Sequence, residues 1–208
     1  MSWAQYYETF EFSEQTLLQV ISSHTPFIAK ILSFKPSSVL EVGCGTGSMS
    51  IFIQKFIKCN VTAIDNDQTL IERAIYYNSQ LGSNVRFKTM DAFDLDLDQE
   101  FDLVFSQGFL EHFTDEEIRR LIKEQIKVSN LIINAVPSKF YFIRDYGDER
   151  LLSLEKWKKI LRDFNVEGFY YGSRFYPLIR VLREFSVLKL AKLIFYRERP
   201  QICIVIRR

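Results

Sequence analysis

The run Val39-Leu-Glu41-Val-Gly43-Cys-Gly45-Thr-Gly47-Ser48 constrains this chain more than any other segment. Val39–Val42 has strand character, three glycines alternate after it, and an amphipathic stretch continues to about Lys58. That order reads as strand, tight loop and helix. Glycines at such a junction permit φ > 0 and let a ligand lie against bare backbone. The helix behind them offers N–H groups with no partner of their own. The alternation then repeats. Val61–Ile64 reads as a strand, Asp67 caps a helix to Leu81 that Gly82 ends, and Val85–Lys88 and Phe101–Phe105 are further strands. Thr114–Glu117 is a capping box opening a helix to about Val128, and Leu131–Val136 is a strand stopped by Pro137. Short apolar strands between amphipathic helices predict a doubly wound α/β fold, with a mostly parallel sheet and helices on both faces.

The flanks differ. Residues 1–35 read as helical: Ser13 caps one helix, and Thr25 caps a second with Pro26 at its first position. Beyond the alternating region, Ser153–Phe164 reads as a helix, and Val166–Tyr171 and Gln201–Ile206 as strands. Between these strands lies the apolar, basic segment Ser173–Pro200. At 208 residues, 47% apolar and 25% charged, one globular domain is expected, with no need of a metal or disulfide staple. A net charge of +1 gives no reason to expect a nucleic-acid partner. Cys44, Cys59 and Cys203 contain no CxxC pair and read as reduced thiols. The N-terminus lacks a secretory pattern and no stretch is long enough to span a bilayer, so a cytoplasmic location is expected.

Asp65 ends the second strand, 22 residues after Gly43. A carboxylate there can accept from both hydroxyls of a ribose, which predicts an adenosine-type ligand at the carboxyl ends of the strands. Ser48 breaks the G-x-G-x-x-G dinucleotide pattern, and no Lys follows the loop as a P-loop requires. Glu41 beside the loop would repel a pyrophosphate, yet it tolerates the sulfonium and ammonium of S-adenosylmethionine.

VLEVGCGTGS (39–48) resembles the first motif of the class I S-adenosylmethionine-dependent methyltransferases. The resemblance continues through AIDND (63–67), FKTMDAFDL (87–95), FDLVFSQGFLEHF (101–113) and LIINAVPS (131–138). It implies a Rossmann-like, seven-stranded sheet whose last strand is antiparallel. It also implies a single methyltransferase domain over 1–208: an N-terminal helical lid (1–35), a cofactor-binding half (36–138) and an acceptor-side half (139–208) with a helical insert at 173–200. The roles implied are Glu41, Gly43, Cys44 and Gly45 for the methionine part of the cofactor and Asp65 for the ribose. Asn66 stands where the family usually has an apolar residue against adenine. Asp91 accepts from the adenine amino group, the Ala92 amide faces the ring, and Ser106 and Gln107 lie near the sulfonium. S-adenosylhomocysteine is the expected product, and no metal is expected.

In-line displacement at a sulfonium methyl needs positioning and a dry site, and a base only where the acceptor must lose a proton. His112, after the fourth strand, either supplies that base or only orders its loop. No Asp/Asn/Ser-Pro-Pro-aromatic motif follows the fourth strand and no Pro-Cys nucleophile is present, which leaves a small-molecule acceptor as the expectation. Trp3, Tyr6, Tyr7 and Phe10 form an aromatic cluster that either covers the cofactor or packs on the core. Arg144 and Tyr146, in the charged run 144–150, follow the fifth strand and are expected near the acceptor. Segment 173–200, with seven basic residues against two acidic, fits a lipid contact, a dimer surface or a core helix with snorkelling bases. Two other functions stay open: a cofactor-binding partner protein without catalysis, and methylene or aminopropyl transfer.

Overall fold

A computed structural model describes residues 3–8, 13–141, 146–172 and 199–208. Their order is α1 (Trp3–Glu8), α2 (Glu14–Ser23), α3 (Thr25–Ser33), β1 (Ser38–Val42), α4 (Ser48–Ile57), β2 (Asn60–Asp65), α5 (Gln68–Gln80) and β3 (Arg86–Thr89). β4 (Leu103–Gln107), a 3-10 turn (Leu110–His112), α6 (Asp115–Val128), β5 (Leu131–Pro137), α7 (Leu154–Ile160), β6 (Asn165–Tyr171) and β7 (Gln201–Arg207) follow. Arg144 and all of the 173–200 segment except Arg199 and Pro200 lie outside the described residues.

The central strands are apolar throughout because both their faces are covered. Val39, Ala63, Phe105, Ile133 and Val205 point toward α2, α3 and α4. Their neighbours Leu40, Ile64, Val104, Ile132 and Ile204 point toward α6 and α7. This is the period of two that strand geometry imposes. The sheet order is β3-β2-β1-β4-β5-β7-β6. β1 to β5 run parallel, while β7 is antiparallel to both β5 and β6. The seven-stranded sheet with its antiparallel last strand is therefore as expected. Strand order reverses between β1 and β4, and the crevice at the carboxyl ends of these two strands is where open α/β sheets bind ligands.

Local signals govern the boundaries. The Asp67 carboxylate accepts from Thr69 N and Leu70 N at the start of α5, and the full capping box of Thr114 and Glu117 opens α6. The start of α3 departs from expectation. Its N-cap is His24, one residue before Thr25. The Thr25 hydroxyl instead donates back to the carbonyls of Ile21 and Ser22. The His24 ring is turned inward, with Nδ1 2.7 Å from the Tyr171 hydroxyl, so its backbone carbonyl begins the helical ladder to Ile28 N. No helix among the described residues is long and apolar enough to cross a membrane.

Candidate active site

The glycine loop is stapled to the end of β2. Gly43 N and Cys44 N both donate to the Ile64 carbonyl, at 2.9 and 3.0 Å. Gly45 N donates to Asp65 Oδ2 at 2.8 Å, and Asp67 N donates to Asp65 Oδ1 at 3.0 Å. Asp65 thus holds the loop and the start of α5 together. Burial pushes its carboxyl above the usual range, against the backbone amides that lower it. Glu41 is buried and accepts from the Ser50 hydroxyl. Burial pushes its carboxyl up to about 8 in spite of that bond. The Cys44 thiol is pushed far up by burial and by the neighbouring Glu41 and Asp65, which leaves it an inert neutral thiol.

Two glycines in this loop are required by what lies on them. Gly43 has φ +70°, and a Cβ there would collide with the Phe109 ring. Gly45 has φ +52°, and a Cβ there would come within 2.9 Å of the Tyr7 hydroxyl. Tyr7 therefore lies directly on the loop backbone, among Asp65, Cys44 and Glu41. Burial first, then Tyr6 and these acids, raise its phenol well beyond its ordinary value. The ring is a flat group resting on bare peptide. α1 is held over the loop from α5, where Arg73 donates to the Ala4 carbonyl at 3.3 Å and pairs with Glu8 at 3.4 Å.

Beside this loop stands His112. The turn that carries it follows Gly108, which has φ +67°. The His112 side chain is 11% exposed, and its Nδ1 lies 2.5 Å from Asp148 Oδ1. Trp3 meets the imidazole edge-on at 4.8 Å and stacks on Tyr146 at 3.9 Å. Tyr6 lies 5.9 Å from Tyr146. Trp3 is 6.5 Å from Tyr7, so one continuous set of rings runs from His112 to Gly45. Glu111, next to His112, is buried, and among the described residues its Oε2 has no hydrogen-bond partner. Burial pushes its carboxyl up to about 8, and the nearby Glu149 and Asp148 add to the rise.

Sequence reasoning singled out His112, Tyr6, Tyr7 and Tyr146, which the fold brings together. It missed Asp148, Glu111 and Phe109. The charged run 144–150 drew attention, but nothing in it distinguishes Asp148 from its neighbours before the loop is folded onto the 3-10 turn. Elsewhere on the same edge of the sheet, Asn66 is exposed after β2. Asp91 follows β3, where its Oδ1 accepts from Phe93 N at 2.8 Å, with Ala92 partly buried beside it. Ser106 is fully buried near the end of β4, and its hydroxyl donates to Asn134 Oδ1 at 2.7 Å. Gln107 ends that strand and is partly buried. His24 is buried against Tyr171 at the end of β6, neutral because burial lowers it to about 4.

The fold is the Rossmann-like one shared by solved S-adenosylmethionine-dependent methyltransferases. Residues 39–130 match the family model described as a methyltransferase domain. Ajmaline N-methyltransferase of Rauvolfia serpentina is 35% identical over 98 residues, 46% of this chain and 33% of that protein. A sterol 24-C-methyltransferase of Gibberella zeae is 30% identical over 109 residues, 50% of this chain and 29% of that protein. The match thus spans about a third of the length of these curated relatives. Among solved structures, the PH0226 protein of Pyrococcus horikoshii superposes with TM-score 0.72 at 17% identity, covering 98% of each chain. The magnesium protoporphyrin IX methyltransferase of Synechocystis PCC 6803, solved with bound SAM, gives 0.63 at 17% identity, covering 99% of this chain and 89% of that one. At these identities the likeness is one of fold.

Proposed function

We propose that this protein is a methyltransferase that binds S-adenosylmethionine and methylates a small molecule by in-line transfer. The observation that carries the reading is the bare backbone of Gly43–Gly45, stapled to a carboxylate at the end of the neighbouring strand, at the switch point of the sheet. These residues fit the cofactor, because the Gly45 surface already accommodates a flat ring that a Cβ would exclude. Gly43, Cys44 and Gly45 take its methionine part with Glu41 beneath them. Asp65 takes the ribose, and Asn66, Asp91 and Ala92 border the adenine. Ser106 and Gln107 border the reacting end. The cofactor supplies a methyl group on a positively charged sulfur, which needs no further activation. The protein's own task is to orient the acceptor, exclude water and accept a proton where one must leave.

In this reading the chain is one domain. Residues 1–35 cover the cleft, 36–138 hold the cofactor, and 139–208 face the acceptor. Tyr6, Tyr7 and Tyr146 surround the acceptor, the role the sequence also gives to Arg144, and His112 is its base. The N-methyltransferase and sterol methyltransferase named above act on small molecules, which supports an acceptor of that kind. Three buried thiols outside any disulfide support a cytoplasmic location. The composition of 173–200 supports contact with a lipid surface or a second copy of the chain.

Calorimetry tests the cofactor: S-adenosylhomocysteine is expected to bind at micromolar concentration or below, and NAD not to bind. Binding of NAD without S-adenosylhomocysteine would overturn the reading. A screen of small-molecule acceptors with labelled cofactor then identifies the substrate.

A further inference from the structure

The environment of His112 carries a more specific conclusion. Its Nδ1 is 2.5 Å from Asp148 Oδ1. An ionised carboxylate can only accept, so Nδ1 carries the hydrogen. A neutral imidazole has a single N–H, and Nε2 is then a bare lone pair. We propose that Asp148 is the positioning residue that fixes His112 in this tautomer, making Nε2 the base for an acceptor hydroxyl. This deepens the methyltransferase reading and rests on it.

A half-exposed contact of this kind would ordinarily hold little, since its partners are free to part. Here both partners are fixed. Asp148 sits in the segment 146–150, which is fastened on both sides of His112. Arg150 N donates to the Glu111 carbonyl at 2.9 Å, and the Arg150 guanidinium donates to the Phe113 carbonyl at 2.6 Å. The same guanidinium pairs with Asp115 at 2.5 Å. Within the segment, the buried Glu149 carboxylate accepts from Tyr146 N at 2.5 Å and Gly147 N at 2.9 Å. Burial would raise the Glu149 carboxyl, but these amides and the neighbouring His112 hold it below the usual range. Glu149 thereby holds the backbone on the N-terminal side of Asp148 in place. The ring itself is held in plane by the edge-on faces of Trp3 and Tyr146.

An acceptor that is already deprotonated, such as a thiolate or a free amine, has no use for this arrangement. A hydroxyl has. As it attacks, its proton passes to Nε2 and the O–H electron pair stays on oxygen. An oxygen lone pair forms the new bond to the methyl carbon, and the pair of the breaking carbon–sulfur bond stays on sulfur. The product thioether is neutral, and the imidazolium returns its proton to solvent.

The test needs neither acceptor nor cofactor. The chain has two histidines, so imidazole nitrogen NMR of the free 208-residue chain resolves both. His112 is expected to show a protonated Nδ1 and a bare Nε2. In Asp148→Ala it is expected to move to the Nε2–H form, while the signals of His24, on its Tyr171 partner, stay unchanged and report an intact core. An Nε2–H tautomer in the wild type would overturn the proposal without recourse to any variant. So would a His112 tautomer unchanged in Asp148→Ala. Once an acceptor is in hand, Asp148→Ala is expected to lower kcat by at least about tenfold with S-adenosylhomocysteine affinity unchanged. Equal rates in variant and wild type would also overturn it. Absence of S-adenosylhomocysteine binding in calorimetry defeats the methyltransferase reading separately, whatever the tautomer.

Discussion

Asp65 performs two tasks with one carboxylate. One oxygen holds the Gly45 amide and the other the Asp67 amide. Asp65→Ala is therefore expected to weaken S-adenosylhomocysteine binding by roughly ten- to a hundredfold, the equivalent of about 1.5–3 kcal/mol for charge-assisted hydrogen bonds. It should also lower the stability of the free protein by about 1 kcal/mol, because two partly buried amides lose their acceptor. Calorimetry and urea denaturation check the two effects independently. From sequence alone the residue belongs to the ligand; the staple to Gly45 adds the second cost. Asp65 was legible because strand end and glycine loop are read from local pattern. Asp148 was not: its partner lies 36 positions earlier, and only the contacts of Arg150 and Glu149 bring the two together.

Among the elements, α1 shows how a short helix acquires a place. It has six residues and no fully buried side chain. Propensity alone would not hold so short a helix in water. It is held by Trp3, Tyr6 and Tyr7 packing over the crevice and by Arg73 from α5. The aromatic cluster was visible in the sequence, but whether it covered the loop or the core was not, because no period distinguishes the two. A ligand resting on Gly45 must take the place of the Tyr7 ring, and Trp3 packs on that ring. Trp157, the second of two tryptophans, is fully buried. Binding of S-adenosylhomocysteine is thus expected to change the acrylamide quenching of one tryptophan, Trp3, and leave the other silent. Quenching that stays constant through a calorimetric binding titration would show that α1 does not respond. Strands and longer helices fell close to their expected bounds, since capping residues such as Asp67 and Thr114 announce their ends locally. α3 began a residue early because the partner of His24, Tyr171, is remote in sequence.

For the molecule as a whole, buried ionisable groups set the response to pH. Glu111 and Glu41 titrate at about 8 in the folded protein, above the 4.5 of an exposed glutamate. For such groups stability is fully present below the unfolded value and is lost as pH rises through the folded one. His24 acts in the opposite direction: its folded value of about 4 lies below 6.5, so its contribution is present above 6.5 and lost as pH falls through 4. Glu111→Gln removes one of the first kind and leaves the other two in place. The variant's stability relative to wild type is expected to grow steadily from pH 4.5 to 8, and denaturation at pH 5, 6.5 and 8 reads that slope. Parallel curves would mean that Glu111 is ionised in the folded protein. The α/β architecture was readable from the alternation after Val39, because β1, β2, β4 and β5 are each followed by a helix that covers the sheet. The position of β7 came only with the resemblance, since nothing local in Gln201–Arg207 says which strands it joins. That position has a consequence for the chain on the ribosome. β7 is the wedge between β5 and β6, so two rows of backbone donors and acceptors wait for it while residues beyond Tyr171 are still being made. Until Gln201–Arg207 clears the exit tunnel, the nascent protein carries two open strand edges beyond those of the finished sheet, and stalling in that interval is the moment at which neighbouring chains on one polysome are most apt to pair with each other.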